Sequence, residues 1–309
     1  MAYLGTAATD AIYDLAEGVI WDDRAGLLRW VDIWAGRVLS GRLDGGRIVD
    51  IAGVDLGQTA GAVALADDGG LLVAAARGLA TIAVDGTISF GPDLLGERGN
   101  VRLNDGTVDP QGRYVVGSLS MTASADDGEP GHEELLRVSA DGAVETLRTG
   151  VRLSNGIAFS PDGTTIYHVD TFAGTVSSHQ YGPGPFAGDV PWTTVLDGFP
   201  HSPDGLTVSA DGDLWVAQFG GSGVRRHAPT GELVDEVTID AAQATCPGFV
   251  GPGLGVLAIT SAQEGLDDWS DHSGAVFLAD LRTAHPATTG IPLTRWPGST
   301  STPYWKAFA

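Results

Sequence analysis

Glu17, Asn155 and Asp204 share one local pattern: each stands immediately before a glycine that opens a short apolar run. The same position holds Asp105 before Gly106, Ala60 before Gly61 and Pro247 before Gly248. Glu, Asn and Asp offer hard oxygen donors. Three such residues with two negative charges suit one divalent cation, with Ca²⁺ the first expectation and Zn²⁺, Mg²⁺ or Mn²⁺ the alternatives. Without a cation, carboxylates gathered in a narrow channel would be costly to bury. Taken singly, Asn-Gly and Asp-Gly are ordinary turn pairs. Glu17 resists that explanation, because Glu is a poor turn former.

These positions can act together only if folding gathers them, and an internal repeat supplies the means. Aligning on Gly18, Gly61, Gly106, Gly156, Gly205 and Gly248 gives units of ~40–50 residues. In each unit the glycine opens a short β-like run. A turn follows, such as Ser160-Pro161-Asp162-Gly163, and then a more apolar second strand, such as Thr165 to Val169. A third strand comes next, and Asp44-Gly45, Asp85-Gly86, Asp141-Gly142 and Thr230-Gly231 mark hairpins before a fourth. Six such units predict an all-β, six-bladed β-propeller with four antiparallel strands per blade. The innermost strand of each blade borders the central channel, so the recurrent polar position forms a ring there.

One domain over residues 1–309 is expected, with no boundary inside the ring. Tyr3 to Leu15 is the candidate strand that closes the sixth blade, and Pro292 to Trp296 competes for that role. Residues 123–131 and 183–191 read as loops inserted in the third and fourth blades. A WD40 propeller is disfavoured, because its Gly-His and Trp-Asp pairs are missing at blade ends.

Composition narrows the partners. The formal net charge of −22 opposes binding to nucleic acid and to anionic membranes. No apolar run reaches the ~18 residues of a membrane span, and no secretory signal is visible at the start. The single cysteine, Cys246, cannot form an internal disulfide and fits a reducing compartment, so a cytoplasmic location is expected. Cys246 reads as a small buried residue and Trp215 as core packing.

Other chemistries lack their signatures. The seven histidines show no metal-binding spacing. His201, three residues before Asp204, reads as a loop residue that could edge a pocket. There is no G-x-S-x-G elbow, Walker loop or dinucleotide fingerprint.

Several stretches together resemble the gluconolactonase/regucalcin (senescence marker protein type) family of metal-dependent propeller lactonases. They are Glu17-Gly18-Val19-Ile20-Trp21, Arg102-Leu103-Asn104-Asp105-Gly106 with Asp109-Pro110-Gln111-Gly112-Arg113, Ser154-Asn155-Gly156 with its Ser-Pro-Asp-Gly turn, and Pro203-Asp204-Gly205 with Asp211 to Ala217. The resemblance runs from about Asp14 to Asp280. It implies metal ligands at Glu17, Asn155 and Asp204 and substrate contacts at Arg102 and Asn104. A substrate-contacting acid that can follow Gly117-Ser118 in the family is replaced here by Leu119, Ser120 and Met121, with Glu129, Glu133 and Glu134 only further on.

The resemblance implies a divalent-metal-dependent hydrolase that opens a sugar lactone by attack of water on a metal-polarised carbonyl. Asp204 is the candidate general base, and the partner is a small-molecule lactone, with the chain a monomer or weak homodimer. A phosphotriesterase or aryl esterase on the same fold is one alternative. A non-catalytic calcium-binding or interaction propeller is another; it would show a large exposed apolar or aromatic patch on one rim.

Overall fold

The computed structural model describes residues 2–122, 131–267, 270, 272–282 and 288–307. Most of the third-unit insert, including Glu129, and His285 lie outside the described residues. Among the described residues the secondary structure is twenty-five strands and one short 3₁₀ turn, Tyr304–Ala307.

Four antiparallel four-stranded sheets follow one another along the chain. The first holds Ala16–Asp22, Leu27–Asp32, Arg37–Asp44 and Arg47–Asp55. The second holds Ala60–Leu65, Leu71–Ala75, Gly78–Ile82 and Ile88–Asp93. The third holds Val101–Val108, Tyr114–Ser120, Glu133–Val138 and Val144–Val151. The fourth holds Ser154–Phe159, Thr165–Asp170, Thr175–Gln180 and Thr193–Leu196.

The last two repeat units do not form separate sheets. Their strands belong to one nine-stranded sheet, joined where Phe219 pairs with Gln243. On one side of the join lie Ser202–Val208, Leu214–Phe219, Gly223–His227 and Leu233–Thr238; on the other lie Gln243–Val250, Val256–Ala262 and Phe277–Asp280. The architecture is an all-β propeller. Six separate four-stranded sheets were expected from the repeat, and the structure has four such sheets plus this joined one.

Turn chemistry explains the spacing within a unit. In Ser160 to Gly163, Gly163 donates its N–H to Ser160 O at 2.8 Å and has φ of 68°, a region that favours glycine. Asp162 accepts the Thr164 N–H at 3.1 Å. The inserted loop of the fourth unit is anchored rather than free. Arg113 and Arg137 donate to its carbonyls at Pro183 and Gly184, and Phe186 donates its N–H to Glu145.

The first strands of all six units pack side by side in sequence, and the last, Gln243–Val250, packs against the first, Ala16–Asp22. The sheets radiate from this ring, and apolar side chains fill the wedges between neighbours. Between the second and third sheets these include Leu72, Leu103, Tyr114 and Val116, with Trp296 added from the C-terminal segment. Trp215, fully buried as expected, meets Phe249 edge-on at 5.6 Å.

The N-terminal segment closes the ring. Thr6–Ala7 pairs antiparallel with Phe277 and Leu278 in the last unit, and Tyr13 and Leu15 continue the contact at Gly274 and Ala262. Ala2–Leu4 joins the neighbouring unit, parallel to Leu233–Thr238. The competing segment, Pro292 to Trp296, goes elsewhere: Trp296 bridges Ala66 beside the second sheet.

Candidate active site

Every innermost strand has a break in register at the same place. The shifts fall at Glu17/Ile20, Ala60/Ala62, Leu103/Gly106, Ser154/Ile157, Pro203/Leu206 and Ala244/Pro247. A bulge leaves a residue unpaired and re-aims its side chain. This is the physical basis of the polar position in the sequence repeat. The following glycine permits the crowding of neighbouring inner strands. A Cβ on Gly156 would lie 2.7 Å from Asp204 O and 2.6 Å from Leu206 Cβ, both closer than atoms tolerate. Gly156→Ala is therefore expected to destabilise the fold by about 1–3 kcal/mol, with urea unfolding as the measurement; an unchanged midpoint would contradict the close approach.

The structure brings together Glu17, Asn155 and Asp204. The Asn155 side-chain amide donates to Asp204 Oδ1, and all three side chains are buried. Glu17 Oε2 accepts the Gly18 N–H at 2.9 Å. Burial pushes the Glu17 carboxyl well above its ordinary value, and the charges of Asp204 and Asp105 push the same way. Burial does the same to Asp204, with Asp105 the next cause. Asp105, which the ligand set omits, is thus the third member of the acidic cluster. Its carboxyl is pushed up to about 6 by burial, against one hydrogen bond from Gly106. The sequence signal for Asp105 is its place in the ring of positions before the glycines.

Arg102 is the cation whose charge opposes this cluster. It too is buried, which pulls its guanidinium down to about 10 while Glu264, Glu17 and Asp204 act against the change. Arg102 Nη1 donates to Asn104 Oδ1 at 2.6 Å and to Leu103 O at 3.1 Å. Asn104 Nδ2 in turn donates to Ser154 O at 2.9 Å. Asn104 therefore links Arg102 to the strand that carries Asn155, so its amide is already engaged. The guanidinium lies 5.3 Å from the ring of half-exposed Trp34, a neighbour the sequence did not reveal.

Polar atoms are left over. Asn155 Oδ1 and Arg102 Nε are buried and have no hydrogen-bond partner among the described residues, and the same holds for Gln218 Oε1 and Gln243 Oε1. Among the described residues no group of three or more His, Cys, Asp or Glu is placed to hold a metal. The donor set here is two carboxylates and an amide. An orphaned amide oxygen beside two mutually repelling buried carboxylates fits a divalent cation.

A buried Ser-His pair lies directly behind the site. Ser154 Oγ is 2.7 Å from His168 Nε2, and Arg148 Nη1 donates to His168 Nδ1 at 3.1 Å. Because Arg is always a donor, Nδ1 must be the acceptor and Nε2 carries the proton. Burial, aided by Arg148, holds His168 well below its ordinary value and so neutral. A histidine protonated on the side facing the serine cannot deprotonate it, so this pair is no nucleophilic dyad. It fixes the strand carrying Asn155. Gly117 leaves room for it, since a Cβ there would fall within 2.5 Å of Ser154 Oγ and Cβ.

The remaining candidates other than Cys246 sit apart from the chemistry; Cys246 lies near Glu17, Asp105 and Asp204, whose charges add to burial in pushing its thiol up. His201 is exposed beside Gly221. Glu133 is buried and accepts the Ser118 hydroxyl at 2.6 Å, while Glu134 pairs with Arg98. Cys246 is buried, as expected.

A channel ringed by innermost strands, with acidic and amide side chains at one recurrent bulge, defines an all-β propeller with a candidate site at its axis. The sequence matches, over residues 15–263, the family described as SMP-30/Gluconolactonase/LRE-like region. The chain belongs to that family. L-arabinolactonase from Azospirillum brasilense is 34% identical over 92% of this chain and 94% of its own. The 6-deoxy-6-sulfogluconolactonase from Pseudomonas putida is 34% identical over 85% of this chain and 90% of its own. A crystal structure of regucalcin from Agrobacterium tumefaciens, described as a calcium-binding protein, superposes with a TM-score of 0.83 at 25% identity. It covers 95% of this chain and 98% of the other.

Proposed function

We propose that this protein is a hydrolase of sugar lactones, with the six repeat units acting as the blades of one propeller domain around a single site. The observation that carries the reading is the meeting of Glu17, Asn155 and Asp204 at one bulge position, in a family whose named relatives include sugar lactonases. Glu17, Asn155 and Asp204 would hold a divalent cation, with Ca²⁺ favoured by the description of the regucalcin neighbour. When bound, such an ion supplies Lewis-acid polarisation of a carbonyl.

The chain's own residues then do the following. Arg102, with Nε unpartnered and its fork fixed by Asn104, donates to ring or hydroxyl oxygens of the lactone. Asn104 positions Arg102. Asp204 Oδ2, the oxygen that Asn155 leaves unengaged, takes the proton of the attacking water. Water adds to the carbonyl carbon, the ring ester bond breaks, Asp204 passes the proton it took to the departing ring oxygen, and the product is the open hydroxy acid.

Acid release from a panel of aldonolactones tests this, run with and without chelator and with phenyl and organophosphate esters alongside. Hydrolysis of aldonolactones, lost with chelator and restored by a divalent cation, is the expected result. Turnover only of the phosphate or phenyl esters would move the reading to a phosphotriesterase or aryl esterase, and no turnover of any ester would favour a non-catalytic propeller. Arg102→Lys, which loses the planar fork, is expected to raise KM about tenfold or more with kcat less affected, as measured by initial rates.

A further inference from the structure

The channel continues beyond the active site as a cavity of about 760 Å³. Its walls come from the second halves of the innermost strands, among them Val19, Val63, Ile157 and Leu206, and from the turns that follow them. Glu17, Arg102, Asn104, Asn155 and Asp204 sit at the other ends of the same strands and do not line it. The segment from Gly290 to Thr294 borders its mouth, tied down by Gly290 N–H to Leu254 O at 2.9 Å and by Ala210 N–H to Thr289 O at 2.8 Å. The size falls within the roughly 300–1,000 Å³ of small-molecule sites, and the strands that shape it are fixed by the ring.

Its charges have one sign. Asp23, Asp105 and Asp162 line the cavity, and among the described residues no Lys, Arg or His does. Asp23 is paired with Arg295 and Asp162 is satisfied by Ser160 and Thr164. Asp105 is different. It borders the cavity and accepts the Gly106 N–H at 2.7 Å, and among the described residues it has no ion pair. Around it are an apolar wall and the thiol of Cys246. A half-buried carboxylate beside an apolar wall suits a cation that brings its own apolar body.

We propose that this lower channel is a second binding site, for an organic ammonium ion whose apolar tail lies along the strand walls and whose head meets Asp105. The walls that would take the tail lie apart from the residues proposed for the lactone, while Asp105 borders both the cavity and the acidic cluster.

Calorimetric titration of the whole protein with n-butyl-, n-hexyl- and n-octylammonium tests the proposal, with n-hexanol and n-hexanoate as charge controls. One ammonium should bind per chain, with Kd falling roughly three- to fourfold per added methylene. Hexanol should bind at least tenfold more weakly than hexylammonium, and hexanoate should not bind. Asp105→Asn should bring hexylammonium down to the level of hexanol. Thr207→Phe and, from a different strand, Thr107→Phe fill the cavity, since both threonines line it half-buried. Either variant should weaken binding at least tenfold while its thermal unfolding stays cooperative. Equal affinity for ammonium, alcohol and carboxylate would overturn the proposal. So would undiminished binding in a folded filled variant, which would place the amines on the acidic surface, or the lack of any saturable binding.

Discussion

Asp204→Asn is expected to lower kcat/KM for lactone hydrolysis by about 10²–10⁴-fold and, in protein stripped of metal, to raise stability. Both effects come from one fact: Asp204 sits buried beside Asp105 and Glu17. The folded carboxyl is raised above its ordinary value of 3.8 by burial and by Asp105. A raised acid binds its proton more tightly in the folded state than in the unfolded one. Stability contributed by the protonated form is therefore lost as pH rises from about that ordinary value through the folded one. The amide carries no such cost. The variant should gain most over its parent at pH 7–8, and the difference should shrink towards pH 4. Adding a divalent cation should reverse the order, because it stabilises only a chain that binds it, by RT ln(1 + [L]/Kd). Thermal unfolding across pH, with and without cation, reads all of this. Retention of more than about a tenth of kcat/KM would remove Asp204 from its proposed role.

The largest stability loss is expected at Asp109, outside the site. Asp109 is fully buried and serves four donors. Oδ1 accepts the N–H groups of Gln111 and Arg113, each at 2.8 Å. Oδ2 accepts Arg113 Nε and Tyr181 Oη, each at 2.6 Å. Arg113 continues to the carbonyls of Gly182 and Pro183, so the network ties the third sheet to the fourth. Removing one partner of a buried pair strands the others, which costs about 3–5 kcal/mol. Asp109→Ala should lose that much, seen as a lower urea midpoint with an unchanged slope. Asp109→Asn keeps the shape and part of the bonding and should lose less, about 1–3 kcal/mol. A loss under about 1 kcal/mol for the alanine variant would contradict the network.

Asp109 also shows how one stretch of sequence can mix two kinds of meaning. The run from Arg102 to Arg113 is the most distinctive in the chain. Its first part, Arg102 to Asp105, faces the site, and its second part, Asp109 to Arg113, is a structural lock. Residue types alone do not separate them, because a buried Asp-Arg lock and a substrate-binding Arg use the same chemistry. The repeat was legible because the glycines are required: inner strands come too close for any side chain, as at Gly156 and Gly248. The gathering of Glu17, Asn155 and Asp204 followed from that spacing. The bulge that aims them was not legible, since a register shift depends on the partner strand. Nor was the engagement of the Asn104 amide, the stacking of Trp34, or Arg148 behind His168, all set by contacts between distant segments. The joining of the last two units at Phe219 and Gln243 is likewise a contact that no local pattern encodes.

The closure at Thr6–Ala7 has a consequence for how the molecule comes into being. These residues pair with Phe277 and Leu278, so a chain emerging in order carries an unmatched opening strand until almost the whole propeller has been made. The innermost strands can collapse progressively, but the circle stays an open arc with two bare edges. Such edges invite pairing with another chain, and contacts this distant in sequence form slowly. The growing protein is most prone to swap its first strand with a neighbour just before it finishes. Dilution, or an added peptide that mimics residues 2–8, should then change the yield of closed monomer far more than it changes the stability of the finished ring.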